Sequence, residues 1–476
     1  MSFWRKLLAL KLVVVLAGCS LIPDLKMPTV QVAPEYKETA PWIKAEPSDQ
    51  IPRGSWWTYY KDDELNKLQE LLLKRNSNLA AAYATYQRAQ AYVDQAGASR
   101  YPGLSLNGSP SRNRASENRP LVPSTFNLPP TYSLYSVGLQ AGYEVDLWGR
   151  VSSSVKASEA GAAAVTADLE SVKLSLQTKL VDQFIVLRGI DQQLHLLQET
   201  VDANAKALKL IQIRYDNGIA PGLDVSRAEA QLESAKSQLE QAKAQRAISE
   251  HAIAVLTGQS PSSFSLVSRD DIIDLPKIPI SVPSELLQRR PDIAAAQRRV
   301  EAANASIGVA KAALYPSVNL SATYGYQSIS AGNWLTAPSN FWSIGPGMLL
   351  QLFDGGLRKA KVAEAEAILN ENGARYRVVV LEAFQQVEDN LAKLNYYHTA
   401  AQSEKASAEA AKKSLSFAMN RYQQGAANYL EVTSAQTASL NSQRALLILN
   451  TEQLRASVDL IRALGGGWSK NVQEAG

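Results

Sequence analysis

The 476-residue sequence predicts a mainly α-helical protein that carries a small set of membrane-type β-strands and repeats one structural unit twice. The repetition is direct, because residues 72–106 align without a gap with residues 286–320 at a constant offset of 214. A second pattern, at 214–225, recurs at 421–432. Long proline-free stretches rich in Ala, Gln and Leu indicate the helices, and segments of alternating apolar and polar residues indicate the strands. Chain length alone would suggest about three domains, but the repeats make the chain one pseudo-symmetric whole.

The first 18 residues form a predicted signal peptide. Basic residues at 5, 6 and 11 precede an apolar run that ends in Leu-Ala-Gly-Cys at 16–19. The run is too short for a transmembrane helix, which needs ~20 residues. Because residues 16–19 resemble a bacterial lipobox, Cys19 is the expected lipidation site, and Ser20 beside it resembles the signal for sorting to the outer membrane. A plain secretory signal followed by a chance cysteine is the alternative.

The charge balance of the mature chain argues against nucleic acid as a partner. The sequence holds 49 basic and 45 acidic residues, but loss of Arg5, Lys6 and Lys11 with the signal leaves 46 basic and 45 acidic residues. No Lys/Arg-rich run of the kind that grips nucleic acid remains. Cys19 is the only cysteine, which excludes an internal disulfide.

Prolines outline the helices, because a proline inside a helix costs ~3 kcal/mol. We expect two long helices at about 149–215 and 355–421, each of 67 residues and therefore roughly 100 Å long. Shorter helices are expected at 77–100, 221–257, 291–314 and 428–464. In each half the two shorter helices together nearly match the long one, which predicts a long antiparallel bundle.

The repeats divide the mature chain into five parts. Residues 19–60 contain six prolines and no apolar period, which predicts an extended N-terminal arm. The first repeat covers 61–265 and the second covers 284–468, with a proline-rich linker at 266–283 between them. Residues 469–476 form a C-terminal tail.

Alternation predicts four strands, at about 103–112, 133–147, 317–327 and 341–352. Aromatic residues near their ends are typical of tilted membrane strands, which need ~9–11 residues. Two surface hairpins, each with one face on a core, are the alternative. Four strands cannot close a barrel and an open edge cannot face lipid, so membrane strands would require several copies of the chain.

The sequence contains no pattern that indicates catalysis. His195, His251 and His398 are the only histidines, and each lies in a helical segment with no Cys or second His at ligand spacing. Nucleophile-elbow, Walker-type and dinucleotide-binding glycine patterns are also missing. We therefore expect no enzyme activity, no cofactor and no metal.

Several motifs follow one another along the chain. They lie at 146–150 (DLWGR), 289–293 (RRPDI), 302–305 (AANA), 307–308 (IG), 315–317 (YPS), 352–356 (LFDGG) and 464–468 (LGGGW). Together they resemble the outer membrane efflux proteins of the TolC and OprM type. The lipobox agrees with the lipoprotein branch of that family, which serves RND multidrug efflux pumps. The resemblance extends from Cys19 to Trp468.

The resemblance implies a homotrimer that acts as a passive exit duct for drugs or other toxic small molecules, and so contributes to antibiotic resistance. Four strands from each protomer would form one porin-like, 12-stranded transmembrane β-barrel in the outer membrane, and the long helices would form a periplasmic α-barrel. The implied partners are outer membrane lipid, a periplasmic adaptor (membrane fusion) protein and an inner-membrane RND transporter. Cys19, carrying palmitate, would anchor each protomer in the cell outer membrane.

By the same resemblance, the two tips that join long and short helices narrow the periplasmic entrance and meet the adaptor. The candidate gate and docking residues are Arg214, Tyr215, Asp216, Gly218, Leu223, Asp224, Val225, Arg421, Tyr422, Gly425, Leu430 and Val432. The two glycines are expected to end the long helices in left-handed caps.

The second tip has polar, uncharged residues where relatives often carry acidic ones. These are Gln423, Gln424 and Asn428. Any acidic ring at the entrance is therefore expected to come from Asp216 or Asp224. A further hypothesis is that these carboxylates pair with Arg214 and Arg421 across neighbouring tips and hold the entrance shut.

Two other functions explain part of the sequence. The exit duct of a type I protein secretion system has the same architecture, although the lipobox and the motif at 464–468 favour the efflux branch. A periplasmic coiled-coil lipoprotein that tethers envelope layers would explain the helices and Cys19, but not the alternating strands.

Overall fold

The computed structural model describes residues 20–29, 36–37, 55–114, 116, 131–276, 278 and 290–466, and these residues form two compact units. The sheet unit takes the described parts of Met1–Pro28, Tyr86–Val165 and Ala296–Tyr376. The helical unit takes the described parts of Thr29–Thr85, Thr166–Ala295 and Arg377–Gly476. Each unit draws pieces from both sequence repeats. Cys19 and the predicted C-terminal tail lie outside the described residues.

The helices follow the order that the proline-free stretches predict. They are α1 (Asp63–Arg75), α2 (Ser77–Ala98), α3 (Arg150–Asp216), α4 (Gly222–Leu256), α5 (Pro291–Ala312), α6 (Leu357–Gln423) and α7 (Tyr429–Ala463). The long helices α3 and α6 have 67 residues each. Their length is as predicted, and their bounds lie one or two residues further along the chain. The repeat-related pairs α3 and α6, and α4 and α7, therefore match in length.

The predicted extended arm, residues 19–60, is not extended over its last five residues. Trp56–Tyr60 forms a 3-10 helix, and its Trp56, Trp57 and Tyr60 side chains are buried in the core of the helical unit. The Tyr60 hydroxyl also hydrogen-bonds the Ser457 hydroxyl at 2.7 Å. Three large aromatic side chains together remove several hundred Å² of surface from water, so this segment packs although its local sequence has no helical period.

Helix α1 was not predicted as an element of its own. The Asp62 side chain caps it, because the carboxylate accepts hydrogen bonds from the backbone N–H groups of Glu64 and Leu65 at 2.9 and 3.0 Å. Leu65, Leu68 and Leu72 recur at helical spacing and are buried in the core of the helical unit. The first repeat thus begins with a packed helix rather than with a loop.

The sheet unit contains an antiparallel sheet in the order β1-β3-β4-β5, with β2 also paired to β3. Its strands are β1 (Gly103–Gly108), β2 (Ser111–Arg114), β3 (Thr131–Val145), β4 (Ser317–Ser328) and β5 (Asn340–Leu349). The single strand predicted at 103–112 is therefore two strands. Pro110 lies at the break, where its missing N–H cannot donate to the ladder.

The strand register places apolar residues of all four longer strands on one face, since directly opposed residues point to the same side. Two neighbouring apolar rows are Leu106, Leu139, Tyr324, Trp342 and Leu104, Ala141, Ala322, Ile344. The row on the opposite face between them is Ser105, Gln140, Thr323, Ser343. In one chain the apolar face is open to solvent, with Leu106 and Trp342 each 70% exposed.

Two of the separated sequence motifs meet where the sheet joins the helices. The Trp148 ring stacks on Tyr315 with the ring centroids 4.8 Å apart. The Trp148 indole N–H donates to the Pro316 carbonyl oxygen at 2.8 Å. This contact joins the start of α3 to the start of β4, and so links the two repeats at the base of the sheet.

A buried ionic cluster fastens part of the predicted linker to the helical unit. The Asp191 carboxylate is fully buried and accepts hydrogen bonds from Arg188 at 2.9 Å, Arg246 at 2.7 Å and the Ser268 hydroxyl at 2.9 Å. Arg188 also donates to the Val267 carbonyl oxygen at 2.9 Å. The Asp191 carboxylate on α3 therefore binds both α4, through Arg246, and the chain after α4, through Ser268.

We expect Asp191→Ala to destabilise the helical unit by ~1–3 kcal/mol, because Arg188 and Arg246 would lose a buried hydrogen-bond acceptor, although each keeps a second carboxylate, Glu64 or Glu250. Asp202→Ala on the same helix removes an exposed carboxylate, and we expect it to change stability by only ~0–1 kcal/mol. Chemical unfolding followed by far-UV circular dichroism compares the two variants. Equal midpoints for both variants would contradict the assigned role of Asp191.

Candidate functional site at the helix tips

The first tip (residues 214–225) joins α3 to α4, and the second tip (residues 421–432) joins α6 to α7. At both tips the long helix ends in the same backbone cap. Gly218 has φ of 71° and Gly425 has φ of 78°. The Gly218 N–H donates to the Tyr215 carbonyl at 2.9 Å, and the following Ile219 N–H donates to the Arg214 carbonyl at 2.8 Å. The second tip repeats this pattern: the Gly425 N–H donates to the Tyr422 carbonyl at 3.0 Å, and the Ala426 N–H donates to the Arg421 carbonyl at 2.8 Å. The predicted left-handed caps are confirmed, and they explain why glycine occupies both positions.

The second tip encloses a small apolar cluster in the helical unit. Tyr422, Tyr429 and Val432 are buried there together with residues of α3 and α4, and the two tyrosine rings lie 5.4 Å apart. Burial raises the pKa of Tyr429 to about 12 and also raises the pKa of Tyr422. Both phenols therefore stay neutral at physiological pH. Val225 from the first tip packs against the same cluster.

Arg214 reaches from the first tip to the second. Its guanidinium donates to the carbonyl oxygens of Tyr422 and Gln423 at 3.2 and 3.3 Å. The guanidinium carbon also lies 5.0 Å from the centre of the Tyr422 ring, in cation–π geometry. Both carbonyls belong to the last turn of α6, where the helix dipole favours a positive charge. Arg214 therefore binds the C-terminus of α6, and we call this set of contacts the clasp.

Arg421, the repeat-related arginine, stays within its own tip. It lies 3.3 Å from the Glu431 carboxylate and donates to the Ala426 carbonyl oxygen at 3.1 Å. Its side chain and that of Glu431 are about half exposed, at 58% and 45%. Sequence reasoning missed Glu431 as a site residue, although it occupies the position equivalent to Asp224 in the repeated motif.

Within the described chain, the predicted arginine–aspartate pairs do not form. Asp216 is exposed and accepts a hydrogen bond from Gln212 at 2.9 Å. Asp224 is buried and lies 3.8 Å from the Arg227 guanidinium on the same helix. The hypothesis is therefore wrong for pairs inside one protomer, because Arg214 is occupied by carbonyls and Arg421 by Glu431. Pairing between protomers stays a prediction.

The exposed candidates form the surface that a partner can reach. Tyr215, Leu223 and Leu430 are 48%, 58% and 49% exposed. A cleft of about 520 Å³ lies between α6 and α7, with Phe417, Leu430 and the Arg421–Glu431 pair in its lining. Nine of the twelve candidate residues thus divide into two groups, apart from Arg214 and the two cap glycines. Tyr422, Asp224, Val225 and Val432 hold the tip together, whereas Tyr215, Asp216, Leu223, Arg421 and Leu430 face outwards.

The chemistry of the tips is that of contact and ion pairing. No group of three or more His, Cys, Asp or Glu side chains with metal-binding geometry occurs among the described residues. None of the described helices is both long and apolar enough to cross a membrane.

Comparison with known proteins gives matches over nearly the whole chain. The family described as outer membrane efflux protein matches residues 68–259 and 282–466. The outer membrane protein OprJ of Pseudomonas aeruginosa is 30% identical over 97% of this chain and 96% of its own length. The probable efflux pump outer membrane protein TtgC of Pseudomonas putida is 28% identical over 97% and 95%. The solved outer-membrane channel OprN is 29% identical, with a TM-score of 0.86 over 94% of this chain and 100% of its own.

We expect Arg214→Ala to loosen the second tip without unfolding the helices. The last carbonyls of α6 would lose their cationic donor and the Tyr422 ring its stacked guanidinium, so backbone N–H groups of residues 421–429 should exchange faster with deuterated water. Hydrogen–deuterium exchange with mass spectrometry measures this directly. Lys209→Ala removes an exposed cation from the same helix and should leave these peptides unchanged. Unchanged exchange in Arg214→Ala would show that the clasp does not hold the tip.

Proposed function

Because the chain belongs to the outer membrane efflux protein family, we propose that it is the outer membrane exit duct of a tripartite RND-type efflux pump. Drugs or other toxic small molecules would pass through it passively, driven by the inner-membrane transporter. The family match carries this proposal, because it covers both repeats. The names of the relatives favour efflux over type I protein secretion, since TtgC is described as an efflux pump protein. A periplasmic tether would leave the two-faced sheet unexplained.

The two-faced sheet supports a membrane position for the strands. Its apolar rows fit lipid, and its rows of Ser, Thr and Gln fit an aqueous lumen. The path of the sheet ends at β1 and β5, and an open edge is not tolerated in hydrocarbon. Pairing of β1 of one protomer with β5 of the next removes both edges. Three copies would then form the 12-stranded barrel of the proposed homotrimer.

The helices support the same assembly. Helix α2 has no buried residue in one chain, although most helical stability in proteins comes from packing. Helix α6 exposes large apolar side chains at Leu357, Val378, Leu381 and Phe417, which are 52–67% exposed. Neighbouring copies in a helical barrel would cover both surfaces. The helices would then extend from the outer membrane into the periplasm.

The tips are the proposed gate and adaptor-docking site. Their outward residues include Tyr215, Leu223 and Leu430, which are 48–58% exposed, and Leu430 lines the cleft between α6 and α7. The half-exposed Arg421–Glu431 pair is worth only ~0–1 kcal/mol, so binding of an adaptor would suffice to rearrange it. The periplasmic adaptor and the RND transporter are the proposed partners. Acylation of Cys19, with palmitate among its acyl chains, is the proposed anchor in the outer membrane.

We expect the two sheet faces to respond differently to charge. Leu139→Arg should impair assembly by ~2–4 kcal/mol if it lies near the bilayer midplane, whereas Gln140→Arg should be tolerated because it faces water. The yield of heat-stable oligomer in outer membrane extracts measures the difference. Equal losses for these adjacent positions would show that the apolar face does not meet lipid.

We expect Gly425→Trp to abolish export while leaving the oligomer in the membrane. A new side chain at Gly425 meets open space, so it protrudes into the docking surface, and the positive φ adds ~1 kcal/mol of local strain. Gly218→Trp should behave alike. Gly425→Ala carries the strain without the bulk and should keep most of the export activity.

Export is measured as dye efflux in a host that lacks its own exit duct and expresses this chain with its adaptor and transporter. Efflux by the unmodified chain tests the proposed function itself, and a lack of efflux with both partners present would contradict it. Chemical crosslinking to the adaptor should fall with Gly425→Trp. Loss of the oligomer in that variant would assign the glycine a purely structural role.

A further inference from the structure

The described segment that follows Cys19 is held by side chains of the sheet unit. Residues 20–29 have no regular secondary structure. Nevertheless, the Pro23 carbonyl oxygen accepts a hydrogen bond of 2.8 Å from the Asn304 side-chain amide, and Asn304 is only 5% exposed. Ile22, one residue earlier, lies against Gly308, one turn further along α5. Adjacent residues of the segment thus contact adjacent turns of one helix.

Gly308 forms a notch on α5, because a larger residue there would have to displace its neighbours. A Cβ atom at this position would lie 2.6 Å from the Ile22 Cγ1 atom and 2.7 Å from the Ser153 Oγ atom. Ordinary contacts between carbon atoms are ~3.5–4.0 Å. Ser153, on α3, is 1% exposed, so it cannot move into solvent. The missing side chain therefore lets α3, α5 and Ile22 meet at one point.

The notch occurs in only one of the two repeats. At the constant offset of 214, Asn304 and Gly308 of α5 correspond to Gln90 and Asp94 of α2. Both of these residues are exposed, and α2 has no buried residue. A feature required by the helical architecture itself would be expected in both repeats. One N-terminal segment is thus matched by one notch, on α5 of the second repeat.

We propose that Asn304, Gly308 and Ser153 form a seat for Ile22 and Pro23, and that this seat fixes the point from which the lipidated N-terminus leaves the protein. The purpose of the seat rests on the proposed acylation of Cys19, whereas its geometry does not. The seat fixes the position of Ile22, and three residues of chain span at most ~11 Å, so the acylated end would stay within that distance of the seat. Helix α5 ends four residues after Gly308 and leads into β4 at Ser317. The anchor and the apolar face of the sheet would therefore enter the same membrane.

Trypsin cleavage after Lys26 tests the seat in the intact protein. Lys26 is exposed, but a protease needs several neighbouring residues to leave the surface before it can cut, so the rate reports local opening. We expect slow cleavage in the unmodified protein. Gly308→Leu should accelerate cleavage about tenfold or more, because its side chain displaces Ile22. Gly161→Leu is the matched control, since a Cβ atom at that helical glycine meets nothing within 4 Å.

Two further variants keep the test decisive if Gly308→Leu does not assemble. Asn304→Ala removes the hydrogen bond to Pro23 without adding volume and should also accelerate cleavage. Ile22→Ala in a Gly308→Ala background should slow cleavage relative to Gly308→Ala alone, since it removes one clashing atom. Rapid cleavage in the unmodified protein, or equal rates in the unmodified protein and the assembled seat variants, would overturn the seat.

The mass of the released peptide, residues 19–26, reports separately on the anchor. A peptide that carries acyl chains supports the lipoprotein assignment, and it gives the seat its proposed purpose. An unmodified peptide would reject the lipid anchor and with it the purpose of the seat. The cleavage rates would still decide whether the seat itself exists.

Discussion

Backbone hydrogen bonding at the edges of the sheet is the constraint on which the rest of the architecture depends. The path of the sheet ends at β1 and β5, which have no outer partner strand within the described chain. Hydrocarbon offers no hydrogen bonds to such groups, so a sheet whose apolar face meets lipid must close on itself. One protomer supplies too few strands for closure. In the proposed trimer, neighbouring copies would also cover the exposed apolar residues on α6 and helix α2, because apolar surface gains free energy when it leaves water.

Duplication supplies two similar helix hairpins, and the two repeats differ at the helix tips and in the sheet unit. Both tips share the same glycine cap, yet Arg214 clasps the opposite tip whereas Arg421 pairs with Glu431 beside it. The clasp ties the two tips of one protomer together and leaves the weaker ion pair exposed. In the sheet unit, the notch at Gly308 has no counterpart in the first repeat. The N-terminal segment, which occurs once in the chain, thus contacts α5 at a position where the two repeats differ.

Much of the fold was predictable because its determinants are local. Proline-free stretches located α3 and α6 to within two residues, and alternation located the strands. The glycine caps were predictable because positive φ favours glycine. The break at Pro110, the aromatic 3-10 helix and the pairing of Arg421 were missed. The 3-10 helix depends on packing against distant segments. The pairing of Arg421 depends on the length of a side chain, because Asp224 is buried near the tyrosine cluster, whereas the longer Glu431 side chain reaches the arginine. The break was open to local reasoning, because proline has no N–H to donate.

The number of chains in the detergent-extracted oligomer tests most directly the claim that copies of this chain must close the sheet. Native mass spectrometry of protein extracted from outer membranes measures it without mutation or partner proteins. The account predicts one dominant species with the mass of three chains, because three copies of four strands complete the barrel and cover the exposed helices. A stable, folded monomer as the dominant species would contradict it.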